Sequence, residues 1–246
     1  MSKTETLAVA TGPSGLLRRT ARALGLRRGT GPRVGHVRWG DLARSKPISR
    51  RFGYDRGGPV DRHYIEKFLG AHAADVRGRV LEVKDSEYTR RFGGDRVTRA
   101  DVLDIDAANP NATLIVDLDD AGALPGEAFD CIIITQTLQY VFDLGGAIAN
   151  LHRSLRRGGV LLLTVPAITP VRTQSMTWYW SFTNLAVARL LKTQFAPEQV
   201  QTVAFGNLRS ATAFLYGMGA TELSQSDLDH EDPDYQLIVA ARAVKA

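Results

Sequence analysis

Residues 129–135 read FDCIIIT, a short and almost entirely apolar run that predicts a buried β-strand. Two similar runs lie on either side of it, VLLLTV at residues 160–165 and RVLEV at residues 79–83. Strands that are apolar throughout are covered on both faces, as in parallel sheets flanked by helices. Residues 138–155, between the first two runs, carry apolar side chains at helical spacing and predict the crossover helix.

The rest of residues 79–246 continues this alternation of strand and helix signals. Further strands are predicted at residues 97–102, 113–116, 200–204, 221–223 and 236–244, and further helices at residues 185–195 and 212–217. Another helix is predicted before this region, at residues 61–72. Arg156-Arg157-Gly158-Gly159 would end the crossover helix, because basic residues and then glycine are typical of a helix C-terminus. The pattern predicts an α/β doubly wound domain with helices on both faces of its sheet.

The net charge of +5 is unevenly distributed. Residues 1–62 hold 14 Lys and Arg against 4 Asp and Glu, whereas the remaining residues hold 17 against 22. We divide the chain into a basic, flexible N-terminal arm at residues 1–38, a cap or lid loop and helix at residues 39–77, and the α/β domain at residues 78–246. Residues 16–24 of the arm could form a short basic amphipathic helix, so the arm is either a solvated tail or a weak contact to an anionic membrane surface or a partner protein. No aromatic residues alternate with its arginines, which argues against nucleic acid.

Composition excludes several classes of protein. With 44% hydrophobic and 23% charged residues the chain is expected to fold, and its single cysteine, Cys131, excludes an intrachain disulfide. No apolar run approaches the roughly 18 residues of a membrane span, and we see no secretory signal. The expected location is therefore the cytoplasm. The acidic run at residues 227–234 is interpreted as a surface turn rather than a metal site.

Polar side chains follow the ends of the predicted strands, which is where a parallel α/β sheet binds its ligands. In chain order they are Glu82, Lys84, Asp85 and Ser86 after the first strand, Asp101 after the second, Asp117 after the third, and Thr135, Gln136 and Gln139 after the fourth. The apolar Leu118 follows Asp117 and is predicted to belong to the same site. Carboxylates at successive strand ends suit a nucleoside, because one can accept both ribose hydroxyls and another the adenine amino group.

With these residues in place, the sequence resembles the class I S-adenosylmethionine-dependent methyltransferases. The matching stretches are Val80-Leu81-Glu82-Val83, Leu124-Pro125, Phe129-Asp130-Cys131-Ile132-Ile133, Gln136-Thr137-Leu138-Gln139-Tyr140-Val141, and Leu155-Arg156-Arg157-Gly158-Gly159-Val160-Leu161. The resemblance implies a Rossmann-like methyltransferase sheet that is parallel with a late antiparallel strand, S-adenosylmethionine as cofactor, and a small-molecule acceptor. Residues 52–57 (FGYDRG) and 178–183 (WYWSFT) look like bacterial methyltransferase-like domains of glycan or natural-product pathways.

The turn after the first strand departs from the family pattern. The family places Gly-x-Gly-x-Gly there, but the aligned positions are Lys84, Ser86 and Tyr88. A side chain at a position of close approach either displaces the cofactor or forces another path. Two positive charges about 6 Å apart at an effective dielectric near 20 repel by roughly 2.8 kcal/mol, which would oppose a sulfonium beside Lys84. This penalty shrinks if Lys84 pairs with the cofactor's carboxylate, with Asp85 or with Glu87.

Most candidate site residues also have a purely structural alternative. Glu82 and Asp117 either bind ligand or cap a turn, Gln136 and Gln139 either bind ligand or bond to backbone, and the ribose-binding acid is either Asp101 or lies three positions later, since Asp104 and Asp106 are near. The predicted substrate and lid residues are Tyr54, Arg56, Gln139, Trp178 and Tyr179, although residues 178–182 could equally be a packed cover over the sheet.

Three functions follow from these observations. The first is a methyltransferase that modifies a hydroxyl of a sugar or secondary metabolite, with His63 as the general base. The second is an enzyme that uses the methyltransferase fold for other chemistry, such as a cyclisation or rearrangement, because a fold does not fix the reaction. The third is a non-catalytic module docked to a partner by its basic arm.

Overall fold

The computed structural model describes residues 31–171 and 177–246. The chain divides into two compact units, residues 1–44 and 45–246. The described part of the first unit contains a 3-10 turn at Gly40–Leu42. The helix predicted at residues 16–24 lies outside the described residues, and all the elements below belong to the second unit.

The described residues of the second unit form one sheet of seven strands. The strands are β1 (Gly78–Val83), β2 (Val97–Asp104), β3 (Leu114–Ile115), β4 (Phe129–Thr135), β5 (Leu155–Pro166), β6 (Val200–Phe205) and β7 (Ile238–Val244). Their order is β3-β2-β1-β4-β5-β7-β6. The first five pair in parallel, while β7 runs antiparallel to both β5 and β6. The predicted fold class, including the late antiparallel strand, is confirmed.

Helices cover both faces of this sheet. They are α1 (Val60–Ala71), α2 (Leu144–Ser154), α3 (Asn184–Leu191), α4 (Leu208–Leu215) and α5 (Gln225–Asp229). Alternate residues of β4 point to opposite sides, so that Ile132 and Ile134 pack with α2 and α3, whereas Cys131 and Ile133 pack with α1 and α4. The two cores that result fix the sheet between the helices and leave the carboxyl ends of the strands open.

The predicted crossover helix was too long at both ends. Residues 138–140 form a separate 3-10 turn, and α2 begins only after Asp143, whose side chain accepts the N–H of Gly146 at 3.0 Å. Leu155 then pairs with Phe129, so Arg156 and Arg157 belong to β5 rather than to a helix C-terminus. Arg156 bonds instead to the neighbouring strand, with Nη1 2.9 Å from Oδ2 of Asp130.

Two elements near the C-terminus also differ from the prediction. Residues 220–222 form a 3-10 turn rather than a strand, because the Glu222 carboxylate accepts the N–H of Gly219 and closes the turn. Helix α4 starts four residues before the predicted position, since Asn207 caps it by accepting the N–H of Ser210 at 2.9 Å.

Candidate active site

A cavity of about 1000 Å³ opens at the carboxyl ends of β1, β2 and β4. Its size is at the upper end of the roughly 300–1,000 Å³ typical of small-molecule sites. The loop at residues 52–59 and the first turn of α1 form part of its wall. Of the predicted site residues, Tyr54, Glu82, Lys84, Asp85, Asp117, Leu118, Thr135, Gln136, Gln139 and Trp178 line this cavity, whereas Arg56, His63, Ser86, Asp101 and Tyr179 do not.

Glu82, at the end of β1, holds the turn that follows. It is 3% exposed, and its two carboxylate oxygens accept the backbone N–H groups of Tyr88 at 3.1 Å and Thr89 at 2.7 Å. Burial raises the pKa of Glu82, while the bonds from Thr89 and Tyr88 oppose that shift. The carboxylate that lines the cavity therefore also caps the turn. The position of Glu82 is compatible with both predicted roles, ligand binding and turn capping.

Lys84 occupies a backbone conformation that usually belongs to glycine. Its φ is +75°, in the left-handed region that costs a non-glycine residue about 1–2 kcal/mol. Two hydrogen bonds hold it there, from its N–H to the carbonyl of Leu103 at 2.8 Å and from Nδ2 of Asn109 to its own carbonyl at 2.7 Å. The first of the three aligned positions thus has a glycine-like backbone although the residue is a lysine.

Of the three side chains that replace the expected glycines, Lys84 and Tyr88 form part of the wall, Ser86 does not, and the cavity remains open. Tyr88 is 5% exposed, and its hydroxyl accepts a bond from Nη1 of Arg62 at 2.5 Å. Arg62 also donates to the hydroxyl of Tyr54 at 3.3 Å. Lys84 takes part in none of the ion pairs found among the described residues. Among the described residues, Lys84 therefore forms no ion pair with Asp85 or with Glu87.

The two candidate ribose acids of β2 have different surroundings. Asp101 is 1% exposed and lies outside the cavity, with its oxygens 2.7 Å from Nε of Arg79 and 3.0 Å from Nη2 of Arg99. β2 runs on for three more residues, and its last residue, Asp104, lines the cavity. Burial opposes ionisation of Asp104, but the N–H of Asp106 and the side chain of Asn109 keep its pKa below the ordinary value. Asp104, three positions after Asp101, is thus the β2 carboxylate available to a ligand.

The ends of β1 and β3 supply further polar groups. Asp85 accepts the N–H of Glu87 at 2.9 Å, and Asp117 accepts the N–H of Asp119 at 3.0 Å, so each carboxylate closes a short turn while lining the cavity. Leu118 beside Asp117 is 4% exposed and gives the same wall an apolar surface. A carboxylate next to an apolar side chain suits a flat heterocycle with an amino group.

Two glutamines after β4 present polar atoms that have no hydrogen-bond partner among the described residues. Gln136 has a φ of +48° and donates its N–H to the carbonyl of Thr164, whereas its buried Nε2 remains unpaired. Gln139 is 1% exposed and donates from Nε2 to the carbonyl of Gln136 at 2.8 Å, which leaves Oε1 unpaired. Buried polar atoms without partners are uncommon, and at the wall of a cavity they are typical of a ligand site.

The loop at residues 52–59 is anchored away from the cavity. Arg56, predicted as a lid residue, forms an ion pair with Glu222, with Nε 2.9 Å from Oε2. The carbonyl of Gly58 accepts the N–H of Ala220 at 2.8 Å, and the ring of Phe52 stacks on Phe214 with 5.8 Å between centroids. These contacts hold Tyr54 at the cavity wall, while Arg56 points to the turn at residues 220–222.

Of the two predicted aromatic substrate residues in the segment at residues 178–182, only one reaches the cavity. Trp178 lines it and packs edge-to-face on Tyr140, with 5.3 Å between ring centroids. Tyr179 instead packs on Phe142 at 5.2 Å and donates its N–H to the carbonyl of Gln139. The two neighbouring side chains therefore differ in position. Trp178 lines the cavity, whereas Tyr179 packs on Phe142 outside it.

His63, the predicted general base, does not line the cavity. Burial and the charge of Lys67 lower its pKa, and its ring packs edge-to-face on Tyr64 at 5.2 Å. The acidic side chain two residues earlier, Asp61, does line the cavity, and its Oδ1 is buried without a partner among the described residues. The sequence offered no specific signal for Asp61, because an acid in the first turn of a helix is ordinary.

The charge of the cavity wall is strongly negative. Eight carboxylates line it against the two cations Arg62 and Lys84; the carboxylates are Asp61, Glu66, Glu82, Asp85, Glu87, Asp104, Asp106 and Asp117. An acidic wall attracts a cationic ligand. Among residues 31–171 and 177–246, no cluster of three or more His, Cys, Asp or Glu side chains is arranged to hold a metal ion. No helix in this part of the chain is long and apolar enough to cross a bilayer.

The fold is the Rossmann-like fold of methyltransferases. Residues 69–163 match the protein family described as "Methyltransferase domain", a segment that includes β1 to β4 and α2. The match covers less than half of the chain and supports the predicted enzyme class at the level of domain and fold. Asp104, Asp117 and Gln139 lie inside the matched segment, whereas Asp61 and Trp178 lie outside it.

Solved structures agree with this fold. A protein from Galdieria sulphuraria assigned as a sarcosine dimethylglycine methyltransferase superposes with a TM-score of 0.51 at 13% identity, covering 76% of this chain and 85% of that one. A protein from Listeria monocytogenes assigned as an S-adenosylmethionine-dependent methyltransferase gives a TM-score of 0.50 at 10% identity, covering 76% and 98%. A search of curated proteins found no significant match. At these identities the likeness concerns the fold.

Proposed function

We propose that the protein transfers a methyl group from S-adenosylmethionine to a hydroxyl group of a small molecule, a sugar or a secondary metabolite. The observation that carries this proposal is the acidic cavity at the strand ends of the methyltransferase domain. Its carboxylates favour a cofactor whose sulfur is a cation. When bound, S-adenosylmethionine supplies a methyl group that the positive sulfur has already activated.

The residues around the cavity fit this cofactor. Asp104 is proposed to accept the two ribose hydroxyls, since its carboxylate ends β2 and stays ionised. Asp117 and Leu118 would hold the adenine, one by a hydrogen bond to its amino group and the other by apolar contact. Lys84 would pair with the cofactor's own carboxylate, which offsets the repulsion from the sulfonium.

Methyl transfer asks the protein mainly for positioning. Holding the acceptor in line with the methyl group supplies most of the rate enhancement, because a bimolecular encounter becomes an effectively unimolecular step. The unpaired atoms of Gln136 and Gln139 are proposed to orient the acceptor, and the loop at residues 52–59 to exclude water. Trp178 provides an apolar face against which a sugar or aromatic ring can lie.

Calorimetric titration with S-adenosylhomocysteine tests the proposal, and binding in the micromolar range is expected. The variant Asp104→Asn should weaken that binding by about tenfold or more, since a charged hydrogen bond contributes roughly 1.5–3 kcal/mol. Asp101→Asn is the matched control, because Asp101 is on the same strand but outside the cavity. Absence of binding at millimolar concentration would refute the proposal, and equal effects of the two variants would refute the role of Asp104.

The alternative of a cyclisation or rearrangement on this fold was suggested by the missing glycines. Lys84 nevertheless adopts a backbone conformation typical of glycine, which supports the approach of a cofactor at this position, and we therefore favour methyl transfer. Mass spectrometry distinguishes the two, since methyl transfer adds one methyl group per S-adenosylhomocysteine released. Product formation without cofactor consumption would support the alternative.

The basic segment at residues 1–38 is proposed to act outside the reaction, as a weak contact to an anionic membrane surface or a partner protein, with the enzyme located in the cytoplasm. Deleting residues 1–38 should then leave affinity for S-adenosylhomocysteine unchanged. It should abolish co-sedimentation with anionic vesicles or co-purification of a partner. If neither assay detects a contact before the deletion, this role is excluded.

A further inference from the structure

We propose that Asp61 is the general base of the reaction and that its Oδ1 takes the proton from the acceptor's hydroxyl group. This inference rests on the proposed function and assigns to that same site a catalytic residue that lies outside the matched methyltransferase segment. It replaces His63, which the structure places away from the cavity.

The position of Asp61 suits this role. It lies in the first turn of α1 and lines the cavity, and its Oδ1 is buried with no hydrogen-bond partner among the described residues. An acceptor atom left unpaired in this way destabilises the protein unless a ligand supplies the missing donor. Oε1 of Gln139, on the same cavity wall, is a second unpaired acceptor. Two acceptors without donors complement a ligand that brings O–H groups.

The nearest cation is engaged elsewhere. Arg62 follows Asp61 in the helix, but its guanidinium donates to the hydroxyls of Tyr88 and Tyr54 at 2.5 Å and 3.3 Å. Glu66, one turn along α1, is paired with Arg91 at 2.8 Å. The remaining charged groups on this part of the wall are Lys84, Asp85 and Glu87, from the turn after β1. Asp61 is thus the carboxylate of α1 that remains available to a ligand.

The environment also adjusts the proton affinity of Asp61. Burial raises its pKa to about 6, against the charge of Arg62 and the backbone N–H groups of Arg62 and Asp61 itself, which lower it. A general base works best when its pKa lies near the operating pH, because it is then both ionised and basic. Asp61 is mostly ionised at neutral pH while being a stronger base than an exposed aspartate.

The step balances without any further reactant. The acceptor oxygen loses its proton to Oδ1 of Asp61 and gains the methyl group, and the electron pair of the broken carbon–sulfur bond remains on the sulfur. The protonated Asp61 then releases its proton to water at a pH above its pKa. No oxidant or metal ion is required by this balance.

The first test is made on the protein without any ligand. Difference infrared spectroscopy between acidic and neutral pH should show the carbonyl band of a protonated carboxylic acid that titrates near pH 6 in the wild type. Asp61→Asn should remove that band. Glu66→Gln is the matched control, an acid-to-amide change on the same helix, and should retain it. A wild-type spectrum that matches the Asp61→Asn spectrum would overturn the proposal.

The second test separates catalysis from binding. Calorimetry with S-adenosylhomocysteine should give the same affinity for the wild type and for Asp61→Asn, and a loss of affinity in the variant would make Asp61 a binding residue instead. Turnover is followed with p-nitrophenyl glycosides of common hexoses as acceptors. In Asp61→Asn, kcat should fall by about 10²–10⁴-fold with little change in KM, and the rise of kcat around pH 6 should disappear.

The outcomes separate the two proposals. If the wild type binds neither S-adenosylmethionine nor S-adenosylhomocysteine, the proposed function fails, whatever the infrared titration shows. If the wild type binds and methylates while Asp61→Asn keeps the same kcat and pH profile, only the role of Asp61 fails. If none of the glycosides is methylated, the infrared titration alone decides, by retaining or rejecting the base.

Discussion

Nε of Arg56 lies 2.9 Å from Oε2 of Glu222, across 166 residues of sequence, and this ion pair ties the loop at residues 52–59 to the turn at residues 220–222. Arg56→Ala should change the stability little, because the pair is partly exposed and screened by solvent. It should nevertheless weaken S-adenosylhomocysteine binding several-fold in calorimetry, since the loop forms part of the cavity wall. Lys67→Ala, which removes an exposed pair with Glu231, is the control. Unchanged affinity in Arg56→Ala would show that the ion pair does not hold the wall.

Asp101 is expected to be a stability residue. Asp101→Asn leaves Arg79 and Arg99 without their buried carboxylate and should lower the free energy of unfolding by about 3 kcal/mol, measured by urea denaturation. Although burial opposes it, the two arginines keep the pKa of Asp101 below the ordinary value of 3.8. The carboxylate therefore stabilises the fold above that value, and its contribution is lost as the pH falls through the lower folded-state pKa. A wild-type advantage that does not shrink on such acidification would contradict this assignment.

Glu82 is expected to affect both stability and binding. In Glu82→Gln an amide N–H must face one of the two backbone N–H groups, of Tyr88 or Thr89, that the carboxylate now accepts. An unpaired buried donor costs about 1–3 kcal/mol, and the turn that carries Lys84 should loosen. We expect a lower unfolding temperature together with at least about tenfold weaker S-adenosylhomocysteine binding. If the unfolding temperature falls and affinity does not, Glu82 supports the sheet but not the site.

The raised pKa of Asp61 also has a consequence for stability. A group whose pKa is about 6 in the folded protein, against 3.8 ordinarily, binds more protons when folded, so the free energy of unfolding decreases as the pH rises between these values. The decrease is at most about 3 kcal/mol. Asp61→Asn should not show this decrease. Its free energy of unfolding, measured by urea denaturation, should therefore rise relative to that of the wild type between pH 4 and pH 6. A constant difference between the two proteins would show that the pKa of Asp61 is not raised.

The sheet was predictable because its central strands are short runs of apolar residues that are recognisable in the sequence. A strand such as residues 129–135 is apolar on both faces only when helices cover both faces of its sheet. The α/β fold class could therefore be predicted from these runs alone. The ends of the helices were harder to predict from the sequence. The start of α2 at Leu144 is set by bonds such as that from the N–H of Gly146 to the side chain of Asp143, which the apolar periodicity does not reveal.

The site was predictable only as far as the strand ends were. The pattern at residues 97–102 is weak and gave Asp101 as the terminal acid, whereas β2 continues to Asp104 through pairing with β3. The predicted end of the strand was therefore three residues too early. It selected Asp101, which forms buried ion pairs, instead of Asp104, which lines the cavity. Asp61 could not be identified in this way, because it reaches the cavity from a helix that precedes the sheet, and only the packing of α1 places it there.

The burial of Cys131 offers a practical route to watching the site. Its thiol is fully enclosed in the sheet, and burial raises its pKa, so maleimide reagents should leave it unmodified. Because it is the sole cysteine of the chain, Ile105→Cys would supply one accessible thiol on the cavity wall. An environment-sensitive fluorophore attached there would change its emission as the cavity fills, giving an optical binding curve without radiolabel or any knowledge of the acceptor.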